Sequence, residues 1–248
     1  MKDFRAELFR FERMLRAREH FALSRYGDGE LPILEGDSID YPEFTFDPSD
    51  PADRFYRQRL LDSLRYRQRG YYVAISAPCC VGEAGFRWLR EAAAQPEENL
   101  TFACLFVNSN YVLFREHILP RFREYDVILV CKRTATLEAL PFPLRADFRV
   151  GHNAWRADYS LIEKIQRFIE YRHVRDGLVL ICAGPFAGML AHQLYRFCPE
   201  NTYVDVGSTL DPFLFGRAGL TRGYLRGRGD HDECTWEPRR LPAPEGYH

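Results

Sequence analysis

Apolar positions along the chain switch between two periods, and the switching predicts the architecture. Phe4, Leu8, Phe11 and Leu15 recur at spacings of four, three and four, which marks one face of an amphipathic helix. FALSRYG then reads as a short extended segment ending at Gly27. After the Pro- and Asp-rich loop FDPSDPAD, Tyr56, Leu60 and Leu64 predict a helix through about Arg69, closed by Gly70. Beyond it, short apolar runs take turns with helical ones. YYVAIS, TFACLFV, DVILVC, DFRVG, LVLICAGP and TYVDVGS read as strands. Helices are predicted around EAGFRWLREAAA and NYVLFREHIL, over the stretch carrying Leu161, Ile165 and Phe168, and through FAGMLAHQLYRF.

Runs such as VILV and LVLI are apolar on both faces, as central parallel strands covered by helices must be. The repeated order predicts one Rossmann-like α/β domain over residues 1–211, a mostly parallel sheet sandwiched by helices. No internal repeat interrupts it. Past Ser208 the periodicity stops, so residues 212–248 are expected to form an irregular Arg- and Gly-rich extension packed on the same domain. Its RGD tripeptide at 228–230 carries no weight. GDHDEC, at 229–234, is expected to be a solvated loop and not a metal cluster.

Composition narrows the class. A chain of 248 residues, 46% apolar and 15% aromatic, can bury one substantial core and is not disordered. With 34 basic against 35 acidic residues, no global field favours nucleic acid or a membrane surface, so any anionic ligand must be held locally. The opening MKDFRAELFRFERML breaks every apolar run with charge, and no segment approaches the roughly 18 apolar residues of a membrane span. A cytoplasmic protein without a transmembrane segment is expected. Seven cysteines without a secretion signal suggest reduced thiols. Cys79 and Cys80 are adjacent, which suits neither a simple disulfide nor a zinc knuckle, and the cysteines in apolar runs read as small core residues.

In open α/β sheets ligands sit beyond the carboxyl ends of the strands. The residues there are polar: Asp28 and Glu30, Asn108, Lys132, His152 and Asn153, Asp205 and Ser208. In CAGPFAG, Gly184 and Pro185 fit the start of a helix whose free amides favour an anion; a plain strand-to-helix turn explains the same residues about as well. GDGE is more pointed. In an extended segment Asp28 and Glu30 would face the same way, and two such charges need water, a shared proton or a cation between them. Mg²⁺ and Mn²⁺ are the usual hard partners. Gly27 and Gly29 would let a bulky ligand approach, and Arg25 adds a fork for phosphate.

These residues carry a family resemblance. SRYGDGELPILEGDSIDY resembles the signature of the GT-D type glycosyltransferases, and APCC, FVNSNYVLF, ILVCK, HNAWRADY, LVLICAGPFAGMLAHQLY and YVDVGSTLD resemble its later blocks in order. The resemblance runs from about Leu23 to Asp211. It implies a metal-dependent transferase, with hexosyl transfer expected, moving a sugar from a nucleotide diphosphate donor, UDP-sugar by preference, to a glycan, glycolipid or glycoprotein hydroxyl. It also implies a single Rossmann-like domain, with Mn²⁺ or Mg²⁺ held by Asp28 and Glu30. Candidates for donor binding are Arg25, Gly27, Gly29, Asn108, Lys132, Asn153, Trp155, Gly184, Pro185, Asp205 and Ser208. Trp155 is considered as a stacking surface for the sugar, with a half-buried core ring an equal alternative. For the general base Asp158 comes first and Asp211 and His152 are alternates, although Asp158 equally suits a plain charge at a helix start. Two other classes stand beside this one: a metal-dependent phosphohydrolase of nucleotide sugars and a non-catalytic nucleotide-binding module.

Overall fold

The computed structural model of the chain describes residues 2–220, 223–226 and 234–237. Seven strands form one all-parallel sheet: β1 (Ala22–Tyr26), β4 (Tyr71–Ile75), β5 (Leu100–Phe102), β6 (Val127–Lys132), β7 (Ala146–Val150), β8 (Leu178–Ile181) and β9 (Thr202–Asp205). A two-stranded antiparallel hairpin, β2 (Ile39–Asp40) with β3 (Thr45–Phe46), stands apart from it. The helices are α1 (Phe4–Arg16), α2 (Glu30–Glu35), α3 (Pro51–Arg65), α4 (Pro78–Ala93), α5 (Tyr111–Leu113), α6 (Ala154–Ala157), α7 (Leu161–Tyr171), α8 (Phe186–Phe197) and α9 (Asp211–Leu214).

Spatial order in the large sheet is β5-β4-β1-β9-β8-β6-β7. The chain begins in the middle, builds outward to β5, crosses to the other half, and returns through β8 to lay β9 beside β1. The strand order therefore reverses between β1 and β9, and this switch point is where open α/β sheets leave a crevice. Every residue of β8 and β9 is buried, as the unbroken apolar runs require.

Strand alternation separates the two helical layers. Tyr71 turns toward α8, with its ring near those of His192 and Tyr195, while Tyr72 turns the other way onto Phe11 of α1. On the α8 side, α3 and α7 flank that helix; on the other, α1 packs beside the segment 108–124. Asp3 caps α1 by accepting the Ala6 amide, and Asp50 caps α3 by accepting that of Ala52, with Pro51 at the first helical position.

Four local expectations change. The third helix stops at Arg65, where Tyr66 turns extended. The strand in TFACLFV is only Leu100–Phe102, because Ala103–Val107 folds into turns. NYVLFREHIL is one short α turn, a π-helical turn at Phe114–Ile118 and a 3₁₀ segment at Leu119–Glu124, the last containing Pro120, which has no amide to continue an α-helix. GDGE is not extended: it is a turn whose last residue, Glu30, begins α2.

Among the described residues beyond 212, Leu214, Leu225, Cys234 and Trp236 are buried in the same core. The RGD tripeptide, and all of GDHDEC before Cys234, lie outside the described residues. No helix among the described residues is long and apolar enough to cross a membrane.

Candidate functional site

A cleft of about 620 Å³ opens at the switch point, beyond the carboxyl ends of β1, β6, β8 and β9. The expected residues Arg25, Gly27, Asp28, Gly29, Glu30, Asn108, Lys132, Trp155, Gly184, Pro185, Asp205, Ser208 and Asp211 all line it. His152, Asn153 and Asp158 do not.

Arg25 is the central cation. Its Nε–H donates to the Ala103 carbonyl at 2.6 Å, which fixes the guanidinium plane. Its Nη1 is buried without a hydrogen-bond partner among the described residues. A buried, unmatched guanidinium nitrogen is costly, and an acceptor brought by a ligand would remove that cost. Gly207 makes room for the group: its backbone lies in the left-handed region at φ 53°, and a Cβ there would come within 2.4 Å of Arg25 Nη1. Gly207→Ala is therefore expected to displace the guanidinium and to weaken nucleotide binding without removing any ligand-contacting group. A titration of that variant by calorimetry checks it, and unchanged affinity would dissociate Gly207 from Arg25.

Two carboxylates face this cation. Glu30 folds back from the start of α2 to accept the Gly27 amide at 2.8 Å. Burial first, and the charge of Asp205 second, push it up to about 7, against the opposing pull of the Gly27 amide and Arg25. Asp205, at the end of β9, is 6% exposed and accepts the Gly207 amide at 3.0 Å. Burial pushes it up to about 6, opposed by Arg25 and by the amides of Gly207 and Arg25. Asp28 is exposed and accepts the Gly29 amide at 3.1 Å. The paired side chains are thus not the alternating residues of a strand; a turn brings Asp28 and Glu30 to one cleft, with Asp205 as the third carboxylate.

Carboxylate oxygens are the donor type of a hard divalent cation, but those of Asp28, Glu30 and Asp205 are not gathered within 4.8 Å of one another, so an ion would have to draw them together. Two carboxylates held toward their neutral forms beside one arginine leave a site that gains from added positive charge.

The other expected residues divide by contact. Lys132 Nζ sits 3.2 Å from Glu43 Oε1 across the cleft. Gly184 adopts φ 54° and Pro185 leads into α8. Trp155 is core: it is 1% exposed, packed on Phe46 and Tyr56, with its Nε1–H donating to Asn153 Oδ1. A ring so enclosed offers no free face for a sugar. Asn153 is also structural, since its Oδ1 accepts the Thr45 amide and its Nδ2 donates to Thr45 Oγ1, both at 2.8 Å. It pins the β2–β3 hairpin to the sheet. Asp158 Oδ2 accepts the Gly151 amide at 2.7 Å and holds that loop, and His152 is exposed and does not line the cleft.

Sequence reasoning passed over the hairpin. Its tip brings Tyr41, Pro42, Glu43 and Phe44 to the cleft, with Phe44 against Gly29 on one side and Gly184 on the other. Tyr41 packs edge-on to Phe44 at 5.5 Å. The signal was an aromatic pair flanking a proline in YPEF.

Among known proteins, the fold has solved counterparts. One, described as a highly conserved domain of unknown function 1792 with a distinct glycosyltransferase fold, superposes with a TM-score of 0.53 at 16% identity over 81% of this chain and 76% of its own. A selenomethionine-substituted structure of the same domain gives a TM-score of 0.56 at 16% identity, covering 83% of this chain and 78% of its own. No family model matches the sequence. No curated protein matches it. The chain thus shares a glycosyltransferase fold, in agreement with the single α/β sandwich expected from its pattern.

Proposed function

We propose that this protein is a metal-dependent glycosyltransferase acting on a nucleotide diphosphate sugar, UDP-sugar by preference, with a hexose as the transferred group and a glycan or glycoconjugate hydroxyl as acceptor. The observation that carries the reading is the buried Nη1 of Arg25, without a hydrogen-bond partner among the described residues and set near Glu30 and Asp205 at the topological switch point.

Rupture of the bond between sugar and diphosphate leaves negative charge on a phosphate oxygen, and fixed donors aimed at that oxygen lower the barrier. Arg25 is the first of these donors, already oriented by Ala103. The left-handed Gly184 and the amides that follow Pro185 at the start of α8 form the second. Asp28, Glu30 and Asp205 would hold Mg²⁺ or Mn²⁺, which when bound stabilises charge on the leaving diphosphate. Phe44 and Tyr41, in place of the enclosed Trp155, supply the aromatic surface for a base or sugar ring. Asp211 lines the cleft where Asp158 and His152 do not, which favours it as the group that takes the acceptor hydroxyl's proton.

A thermal-shift panel of UDP, GDP, CDP, TDP and ADP, each with Mn²⁺ and with EDTA, tests the reading. One nucleotide should raise the melting temperature only with metal, by the equivalent of about 2.7 kcal/mol at a hundredfold excess over its dissociation constant. Asp28→Asn should remove that metal dependence while the unliganded protein melts as before. No shift with any nucleotide would overturn the donor assignment. Release of free sugar at full rate without an acceptor would turn the reading to a phosphohydrolase.

A further inference from the structure

Four of the seven cysteines converge at the edge of the cleft, from three separate parts of the chain. Cys79 and Cys80 open α4, Cys104 follows β5, and Cys234 comes from the C-terminal extension. The sulfurs of Cys79, Cys80 and Cys234 lie within 4.8 Å of one another. Cys79 Sγ is 3.7 Å from Cys80 Sγ, and Cys104 Sγ is 3.1 Å from Cys234 Sγ. All four are free thiols.

We propose that Cys79, Cys80, Cys104 and Cys234 form a four-thiolate site for Zn²⁺ that fastens the C-terminal extension to the rim of the cleft.

The spacing carries the assignment. With Zn–S bonds of about 2.3 Å, the edge of a tetrahedron is about 3.8 Å. The pair at 3.7 Å already matches that edge and the pair at 3.1 Å has to open slightly, while Cys104, which lies outside the trio within 4.8 Å, has to close on Cys79 or Cys80 as the ion binds. The same 3.1 Å is well beyond a disulfide bond of about 2.05 Å. Adjacent cysteines, which in sequence suit no familiar zinc spacing, both reach one centre because the helix breaks just after them: Gly82 has φ 73° and ψ 170°. Its left-handed backbone frees the first turn of α4 from the helical path.

The surroundings fit a resident metal. Cys79 and Cys80 are exposed, which leaves a path for the ion, whereas Cys104 and Cys234 are buried. Asn108 Nδ2 lies 3.7 Å from Cys234 Sγ, placed to donate to a thiolate as outer-shell partners do. Binding releases the thiol protons to solvent and is balanced by them, with no change of oxidation state. Thiolate sulfur selects a soft or borderline ion, so this centre and the oxygen-lined cleft would sort Zn²⁺ from Mg²⁺ or Mn²⁺.

The anchored segment is short but well packed. Trp236, two residues beyond Cys234, stacks edge-on against Phe102 and Phe86 and donates from Nε1 to Glu97 Oε1 at 2.6 Å. Cys80, Cys104 and Asn108 themselves line the cleft, so the clip sits beside the donor site without sharing its carboxylates.

The full chain, purified reduced and without chelator, is the material for the test. Metal analysis should find about one zinc per chain. A cobalt-substituted sample should show thiolate-to-cobalt charge transfer in the near ultraviolet with the intense visible bands of a tetrahedral ion. Cys79→Ser, at an exposed position that leaves the core untouched, and Cys234→Ser should each weaken zinc retention by more than the roughly 10–100-fold that loss of an outer-shell partner costs. Asp28→Asn should leave zinc content unchanged, which separates this site from the carboxylates. A reduced chain that takes up no zinc overturns the proposal. So does cobalt without the thiolate band, or zinc retained by both cysteine variants as tightly as by the parent.

Discussion

Arg25→Ala is expected to reduce turnover by about 10²–10³-fold, the usual effect of deleting one preorganised donor from a site of developing charge. The residue has two tasks, and the substitution removes both. Its Nε–H satisfies the Ala103 carbonyl, and its Nη1 is the buried donor left for the ligand. Arg25 also opposes the upward push on Asp205 and Glu30, so its loss should shift both carboxylates further toward their neutral forms. Arg25→Lys separates charge from geometry. An ammonium keeps the positive charge but cannot reach Ala103 and a phosphate with one rigid fork, so it should recover little of the lost rate. Affinity for the nucleoside diphosphate should fall by about 10–100-fold in both variants, as for a lost hydrogen bond to a charged group. Calorimetry with the nucleotide selected by the thermal-shift panel measures this. A lysine variant with nearly native affinity and rate would show that charge alone is used there.

The parts of this fold legible in sequence are those set by long apolar runs. VILV and LVLI can be buried on both faces only inside a parallel sheet, and they are β6 and β8. The site was legible where it follows the sheet: the residues after β1 and β9 meet because those strands are neighbours. What escaped depends on contacts distant in sequence. The hairpin strands have two residues each, too few for any alternation to register. Asn153 looked like a ligand-binding residue because its φ of 51° and its bonds to Thr45, 108 positions away, have no local signature. Trp155 looked available because burial by Phe46 and Tyr56 is likewise tertiary. The cysteines illustrate the same rule, since Cys104 and Cys234 meet across 130 positions.

The pH dependence of stability should expose the carboxylate pair directly. Glu30 is held at about 7 and Asp205 at about 6, both above the ordinary range near 4 that they regain on unfolding. Between pH 4 and 7 the folded chain therefore binds more protons than the unfolded chain, and stability falls as pH rises through that window. Allowing for solvent around Glu30, the loss from the pair is on the order of 2 kcal/mol by pH 8. Glu30→Gln keeps an acceptor for the Gly27 amide but has no charge to bury, so in EDTA it should lose less stability between pH 5 and pH 8 than the parent. Asp205→Asn should behave alike. Mn²⁺ with nucleotide should flatten the parent's profile, because the ionised carboxylates then face a cation, and should leave both variants unaltered because each lacks one donor oxygen. Urea unfolding at the two pH values, with and without metal, measures all of these differences. A parent profile reproduced in Glu30→Gln would place the titrating groups elsewhere. Variants stabilised at pH 8 yet unable to respond to Mn²⁺ would mean that the cleft trades folding stability for a charge-hungry site, completed only when cation and diphosphate arrive together.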